Sequence, residues 1–110
     1  MRNNKSIAIL GGMGPQASTK LLEVLFEMCV NDFGAKSDSD FPEVILNSVP
    51  VPNFISNKSN IKIARNILIK RIKKLENFNP SCFGIVCNTA HVLLPNLQAS
   101  TKVPFISIID

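Results

Sequence analysis

Cys87-Asn88-Thr89-Ala90-His91 follows directly on the apolar run Phe83-Gly84-Ile85-Val86. A cysteine between the end of a buried strand and a starting helix sits where thiols become reactive. Backbone N–H groups at a helix N-terminus stabilise the thiolate and lower its pKa below the value of about 8.5 of a free thiol. The competing reading is a small buried thiol that only packs. What the other segments bring to the same place decides between the two.

The second segment with chemistry in it is Gly12-Met13-Gly14-Pro15-Gln16-Ala17, which fits G-x-G-x-x-G/A after a strand and before a helix. Glycines let the backbone approach an anion, and the helix N-terminus faces its charge. A nicotinamide cofactor would also need an acidic residue at the end of the second strand to hold the ribose. That strand ends in Asn47-Ser48-Val49-Pro50, with no carboxylate. A smaller anion, such as a carboxylate, suits the loop better, and Asn47 stands at the end of the strand beside it. A pyridoxal-phosphate enzyme is disfavoured because no lysine falls near these segments. Zinc is rejected as well: His91 is the single histidine, and Cys29, Cys82 and Cys87 form no C-x-x-C pair. No cofactor and no metal are expected.

These segments need a scaffold. The chain has 110 residues, enough for one hydrophobic core, and 45% hydrophobic against 18% charged residues exclude a disordered chain. No apolar run approaches the roughly 20 residues of a membrane span, and Ile7–Leu10 is too short for a signal-peptide core, so a cytoplasmic protein without membrane contact is expected. The net charge of +4 comes mostly from Lys58, Lys62, Arg65, Lys70, Arg71, Lys73 and Lys74. These alternate with Ile61, Ile63, Ile67, Leu68, Ile72 and Leu75 as on the solvated face of an amphipathic helix. With no aromatic residues interleaved for base stacking, nucleic acid is not the expected partner.

Strands are expected at Ser6–Leu10, Val44–Val49, Cys82–Val86 and Val103–Ile109. Between them lie a helix from Pro15 to about Phe33, with Cys29 on its core stripe, and a second helix, capped by Ser59, running to about Phe78. Pro50-Val51-Pro52-Asn53 breaks regular structure, and Asn79-Pro80 marks a turn. Pro95 is expected to kink the third helical segment, between Thr89 and Thr101, or divide it into two short helices. The alternation predicts an α/β fold: a four-stranded parallel sheet of order 2-1-3-4, flavodoxin-like, with helices on both faces. In such sheets ligands bind outside the C-terminal strand ends. Gly11–Pro15, Pro50–Phe54 and Cys87–His91 all fall on that edge.

Gly11-Gly12-Met13-Gly14-Pro15 followed by Ser18-Thr19, with Cys87-Asn88-Thr89-Ala90-His91 and the closing Pro104-Phe105-Ile106-Ser107-Ile108-Ile109-Asp110, resembles the aspartate/glutamate racemase family, in its N-terminal half. The resemblance implies a cofactor-independent racemase of two similar domains, each giving one cysteine, with the substrate between them. One thiolate removes the α-proton and the opposing thiol delivers a proton to the other face. By that resemblance Cys87 is one of the two catalytic thiols. Asn88 and Thr89 donate to the substrate carboxylate, or cap the helix, and Met13, Gly14 and Asn47 join them as substrate-binding residues. His91 is an accessory residue that orients the loop.

Two departures bear on substrate. Many aspartate-specific members carry Pro-Asp-Arg where this chain has Pro52-Asn53-Phe54, and phenylalanine cannot clamp a carboxylate bidentately. Val86 stands where members often have proline. Cys82 cannot serve as the second thiol, because the five residue steps to Cys87 span about 16 Å. Residues 1–110 are therefore expected to form a single α/β domain, one half of a two-domain enzyme, inactive alone. The C-terminal domain is the partner that would complete it, and the exposed crevice face would allow two copies to pair as a homodimer. The alternatives are a related cysteine-dependent isomerase, a non-catalytic carboxylate-binding domain and a nucleotide-binding domain.

Overall fold

A computed structural model describes residues 5–11, 15–52, 57–86 and 92–107. Four strands, β1 (Ser6–Gly11), β2 (Glu43–Ser48), β3 (Cys82–Ile85) and β4 (Phe105–Ser107), alternate with the helices α1 (Pro15–Asn31), α2 (Asn60–Leu75) and α3 (Leu94–Ala99). All pairings are parallel and the order is β2-β1-β3-β4, the expected 2-1-3-4. The chain steps from β1 outward to β2, then crosses back past β1 to β3. Right-handed crossovers in opposite directions put α1 on one face and α2 on the other.

Each face follows from strand alternation. Ala8 and Leu10 point to the side of α2 and α3, and there they join Ala64, Leu68, Ile72, Leu75, Phe83, Ile85, Leu93 and Leu97 in one buried core. Phe83 and Phe105 stack across β3 and β4 with ring centroids 5.3 Å apart. Burial of each large aliphatic side chain in this core contributes about 1.5–3 kcal/mol relative to exposure. The basic residues of α2 lie on its other side, with Lys62, Lys70, Lys73 and Lys74 exposed, as the amphipathic pattern requires. Gly11 points the other way, to Ser18 of α1 and Leu46 of β2. Cys29 is only half-buried on α1.

Pro95 falls in the first turn of the short helix α3, where its missing N–H interrupts no bond, so the break expected there is a helix start, while residues 87–91 lie outside the described ones. Two other local expectations change. Ser59 makes no side-chain cap to α2. Its Oγ donates to Asn57 Oδ1 (2.6 Å), which also accepts the Ser59 N–H at 3.1 Å, so an Asx turn at Asn57 precedes the helix. The long second helix ends at Leu75 and continues as a 3-10 turn, Glu76–Phe78, closed by Asn79 in the left-handed region at φ 52°. α1 ends in the same manner, with Gly34 at φ 72°. The N–H of Ala35 there donates to the Cys29 carbonyl at 2.9 Å.

The end of β1 and α1 approach closely. A Cβ on Gly11 would stand 2.2 Å from Ser18 Oγ and 3.2 Å from Ser18 Cβ. Gly11→Ala is therefore expected to lower stability by about 1–3 kcal/mol in urea unfolding. Adding Ser18→Gly to Gly11→Ala should recover part of that loss in a double-mutant cycle, since the clash lies between these two side chains.

Candidate functional site

The strands that precede the expected site residues end at one edge of the sheet. Gly11 closes β1, and its carbonyl accepts the N–H of Val49 at 2.8 Å, which holds the end of β2 beside it. On the other side the Leu10 carbonyl accepts the N–H of Val86 at 3.0 Å, carrying the β1–β3 ladder one residue beyond Ile85. The three chain segments thus leave the sheet at one level, with β2 and β3 about 10 Å apart across β1. β1 connects outward to one side and β3 to the other, so the gap between them is the topological switch point where ligands bind in doubly wound sheets.

Asn47 is the one expected binding residue among those described. It pairs with Leu10, which pairs in turn with Ile85, so Asn47 and Ile85 flank Leu10 on the face of α2 and α3. Asn47 is half-buried one residue below the edge. Met13, Gly14, Cys87, Asn88, Thr89 and His91 lie outside the described residues, as do Asn53 and Phe54. What is described is the frame around them: Gly11 before the first loop, Pro52 before the second and Val86 before Cys87.

The far end of the sheet has different chemistry. Cys82 opens β3 opposite Ile7, at the N-terminal edge, as expected from its distance to Cys87. Burial raises its thiol pKa above the usual value and the charge of Lys5 only partly offsets this. Near that edge a polar network invisible to sequence reasoning ties α3 to β4. Gln98 accepts the Phe105 N–H at 2.8 Å and donates to the Val103 carbonyl at 3.0 Å. Thr101 donates to Glu76 at 2.6 Å, and the Lys73 ammonium donates to the Ser100 carbonyl. Glutamine at helical spacing carries no signal of such a clamp, because its partners are backbone groups of the next strand. A depression lined by Lys73, Glu76, Ser100 and Lys102 lies on this network, away from the switch point.

Ser18 is the residue whose role the motif reading left unassigned. It is 3% exposed, and its Oγ has no hydrogen-bond partner among the described residues.

Fold and edge together define a doubly wound α/β domain whose topological switch point lies between the C-terminal ends of β1 and β3. The chain belongs to the Asp/Glu/Hydantoin racemase family, whose model matches residues 10–110. It is 29% identical over 104 residues to the broad specificity amino-acid racemase RacX of Bacillus subtilis, covering 94% of this chain and 46% of that protein. The chain thus spans about half the length of this relative. Among solved structures, an aspartate racemase homologue from Pyrococcus horikoshii superposes with a TM-score of 0.77 at 25% identity, over 94% of this chain and 44% of the other. Picrophilus torridus aspartate racemase superposes with a TM-score of 0.76 at 29% identity, over 94% of this chain and 67% of that one. No helix among the described residues is long and apolar enough to cross a membrane.

Thiol labelling separates the two ends of β3. With iodoacetamide near neutral pH, Cys82 is expected to react more slowly than a model thiol, its rate rising only as pH passes above the ordinary thiol range. Cys87 is expected to react faster than the model thiol. Mass spectrometry of the labelled peptides reads both, and equal slow labelling of the two would assign Cys87 to packing.

Proposed function

We propose that this chain is one half of an amino-acid racemase that needs no cofactor, with Cys87 as one of two thiols that invert the α-carbon. The observation that supports the reading is the hydrogen bond from the Val86 N–H to the Leu10 carbonyl, which holds the end of β3 beside β1 one residue before Cys87 in the sequence of a chain of this family. The Cys87 thiolate takes the α-proton: its S–H bond forms as the Cα–H bond breaks, and the electron pair passes into the α-carbon and its carboxylate. A thiol on the opposite face gives up its proton to the α-carbon and becomes the thiolate. One turnover therefore exchanges the protonation states of the two sulfurs, and the reverse reaction uses the same groups. Asn88 and Thr89 hold the carboxylate, where donors stabilise the charge that develops on it. Met13, Gly14 and Asn47 line the same crevice, and His91 orients the loop. The second thiol belongs to the C-terminal domain of the full-length protein, so the 110-residue chain alone is inactive.

Substrate choice follows from Pro52-Asn53-Phe54. This loop offers no cation for a second carboxylate, so an amino acid with an uncharged side chain fits better than aspartate. RacX, to which the chain is similar, is itself a broad specificity amino-acid racemase.

The test is racemisation of single-enantiomer amino acids by the full-length protein without added cofactor, followed by α-proton exchange in D2O. Activity is expected on uncharged side chains, with Cys87→Ala lowering kcat by at least about 100-fold. Folded full-length protein that racemises nothing, and exchanges no α-proton, would replace this reading with carboxylate binding alone.

A further inference from the structure

The two helix faces that look away from the sheet carry opposite charge. Six of the eight acidic residues, Glu23, Glu27, Asp32, Asp38, Asp40 and Glu43, fall from the middle of α1 to the first residue of β2. From Lys58 to Lys74, over α2 and its approach, stand seven basic residues and no acidic one. α1 and α2 cover opposite faces of the sheet, so the two charges cannot meet within one domain. Glu23, Glu27, Lys70 and Lys74 are exposed, and none has an ion pair or side-chain hydrogen bond among the described residues. α1 is also poorly covered: of its described side chains only Ser18 is buried.

The outward stripes of the two helices also match in spacing. On α1, Glu23, Glu27 and Val30 follow at helical steps of four and three, acidic first and apolar last. On α2 read backwards, Lys74, Lys70 and Ile67 follow at the same steps, with Ile63 one turn further on. Laid antiparallel, the helices set Glu23 against Lys74, Glu27 against Lys70 and Val30 against Ile67. Phe33, just past the end of α1, then lies towards Ile63. Val30 is 48% and Ile63 51% exposed, so the apolar half of the match removes surface from water that neither face covers alone. The parallel order keeps two ion pairs but sets Val30 against Asn77 and Ile63 against Gln16. Antiparallel helices also oppose their macrodipoles.

We propose that the α1 face of one copy docks antiparallel on the α2 face of a second copy, through Glu23–Lys74 and Glu27–Lys70 ion pairs beside a Val30–Ile67 contact. Because the two faces lie on opposite sides of the sheet, docking leaves the α2 face of the first copy and the α1 face of the second free. The contact is therefore heterologous: it cannot close as a two-fold pair, and each added copy offers the next the same face. Exposed ion pairs contribute little singly and are screened by salt, so the association is weak and salt-dependent. The inference stands apart from the racemase reading, since none of these residues belongs to the proposed site.

The experiment is sedimentation equilibrium of the full-length protein at about 0.05 and about 0.5 M NaCl, a change that shortens the screening length about threefold. At low salt the weight-average mass is expected to climb with concentration past that of a dimer. At high salt the association constant should fall at least about fivefold. Glu23→Lys with Glu27→Lys, and Lys70→Glu with Lys74→Glu, should each weaken association at least about tenfold. Mixing these two double variants in equal amounts should restore the constant to within about threefold of wild type, because each reversed face then meets its opposite. That rescue also shows both variants to be folded. Asp38→Lys with Glu43→Lys changes the net charge by as much as the α1 reversal, away from the stripe, and should leave the constant within about twofold. Wild type whose mass stops at one closed species, or does not respond to salt, overturns the proposal. So does a mixture that fails to associate, or an Asp38 and Glu43 variant as impaired as the α1 reversal.

Discussion

The structure hangs on β1 being hydrogen-bonded along both edges. Its residues pair with β2 from Ser6 to Gly11 and with β3 from Ile7 to Leu10, and Ala8, Ile9 and Leu10 are at most 1% exposed. A central parallel strand must be apolar on both faces, because helices cover both. The double ladder also makes the end of β1 a fixed point. Gly11 cannot shift without breaking the bond from Val49, and Leu10 cannot shift without losing Val86. Slipping the register by one residue would turn Leu10 towards α1, into the space that glycine leaves for Ser18. The crevice edge is therefore set by the backbone ladder, and the loops inherit their starting points from it.

The two faces of the sheet are unequal. Beneath α2 and α3 the core is continuous, and stacked Phe83 and Phe105 extend it to β4. On the other face α1 interleaves its apolar residues with Lys20, Glu23 and Glu27 and leaves Val24, Phe26, Met28 and Val30 exposed, as is Phe33 just beyond its end. It is tied at its far end by Gly34 and by an edge-on contact of Phe26 with Phe41, ring centroids 5.8 Å apart. Fewer buried apolar contacts mean a lower local stability for α1 than for the α2–α3 layer. The helix start that faces the crevice is thus carried by the more weakly held layer, while β1 and β3 beneath it stand on the firm one.

Strand order was legible in the sequence because it follows from alternation of helices and strands and the handedness of crossovers. The position of Cys82 at the far end of β3 was legible too, since strand rise converts sequence distance into length. At Pro95 the break was legible from the missing N–H, but the choice between a kink and a helix start was not, because periodicity alone cannot tell the first turn of a helix from its interior. Ser59 misled because its hydroxyl is taken up as a donor to Asn57, two residues earlier, and so makes no cap to the helix. Of the site, the residue types could be read directly, and the strands that precede them, β1, β2 and β3, end at one edge as expected. The contact of Ser18 with Gly11 could not, since a helix and a strand approach this closely only through tertiary packing.

Inversion at a carbon centre sets a condition that one sheet edge cannot meet. Groups presented by the ends of β1, β2 and β3 reach a bound α-carbon from the same side. The two other cysteines stand too far off to provide the opposite face. Cys29 is 14 residues along α1 from Pro15, about 21 Å from the turn that faces the crevice, and Cys82 opens β3 at the other edge. Burial also raises the Cys82 thiol pKa, which opposes any role for it as a base. In the two-thiol reading, the second acid–base group must therefore come from a body that faces this edge across the substrate. In that reading such a body would also close the edge against water, so the contact that supplies the second thiol would create the low-dielectric surroundings in which carboxylate donors are strongest.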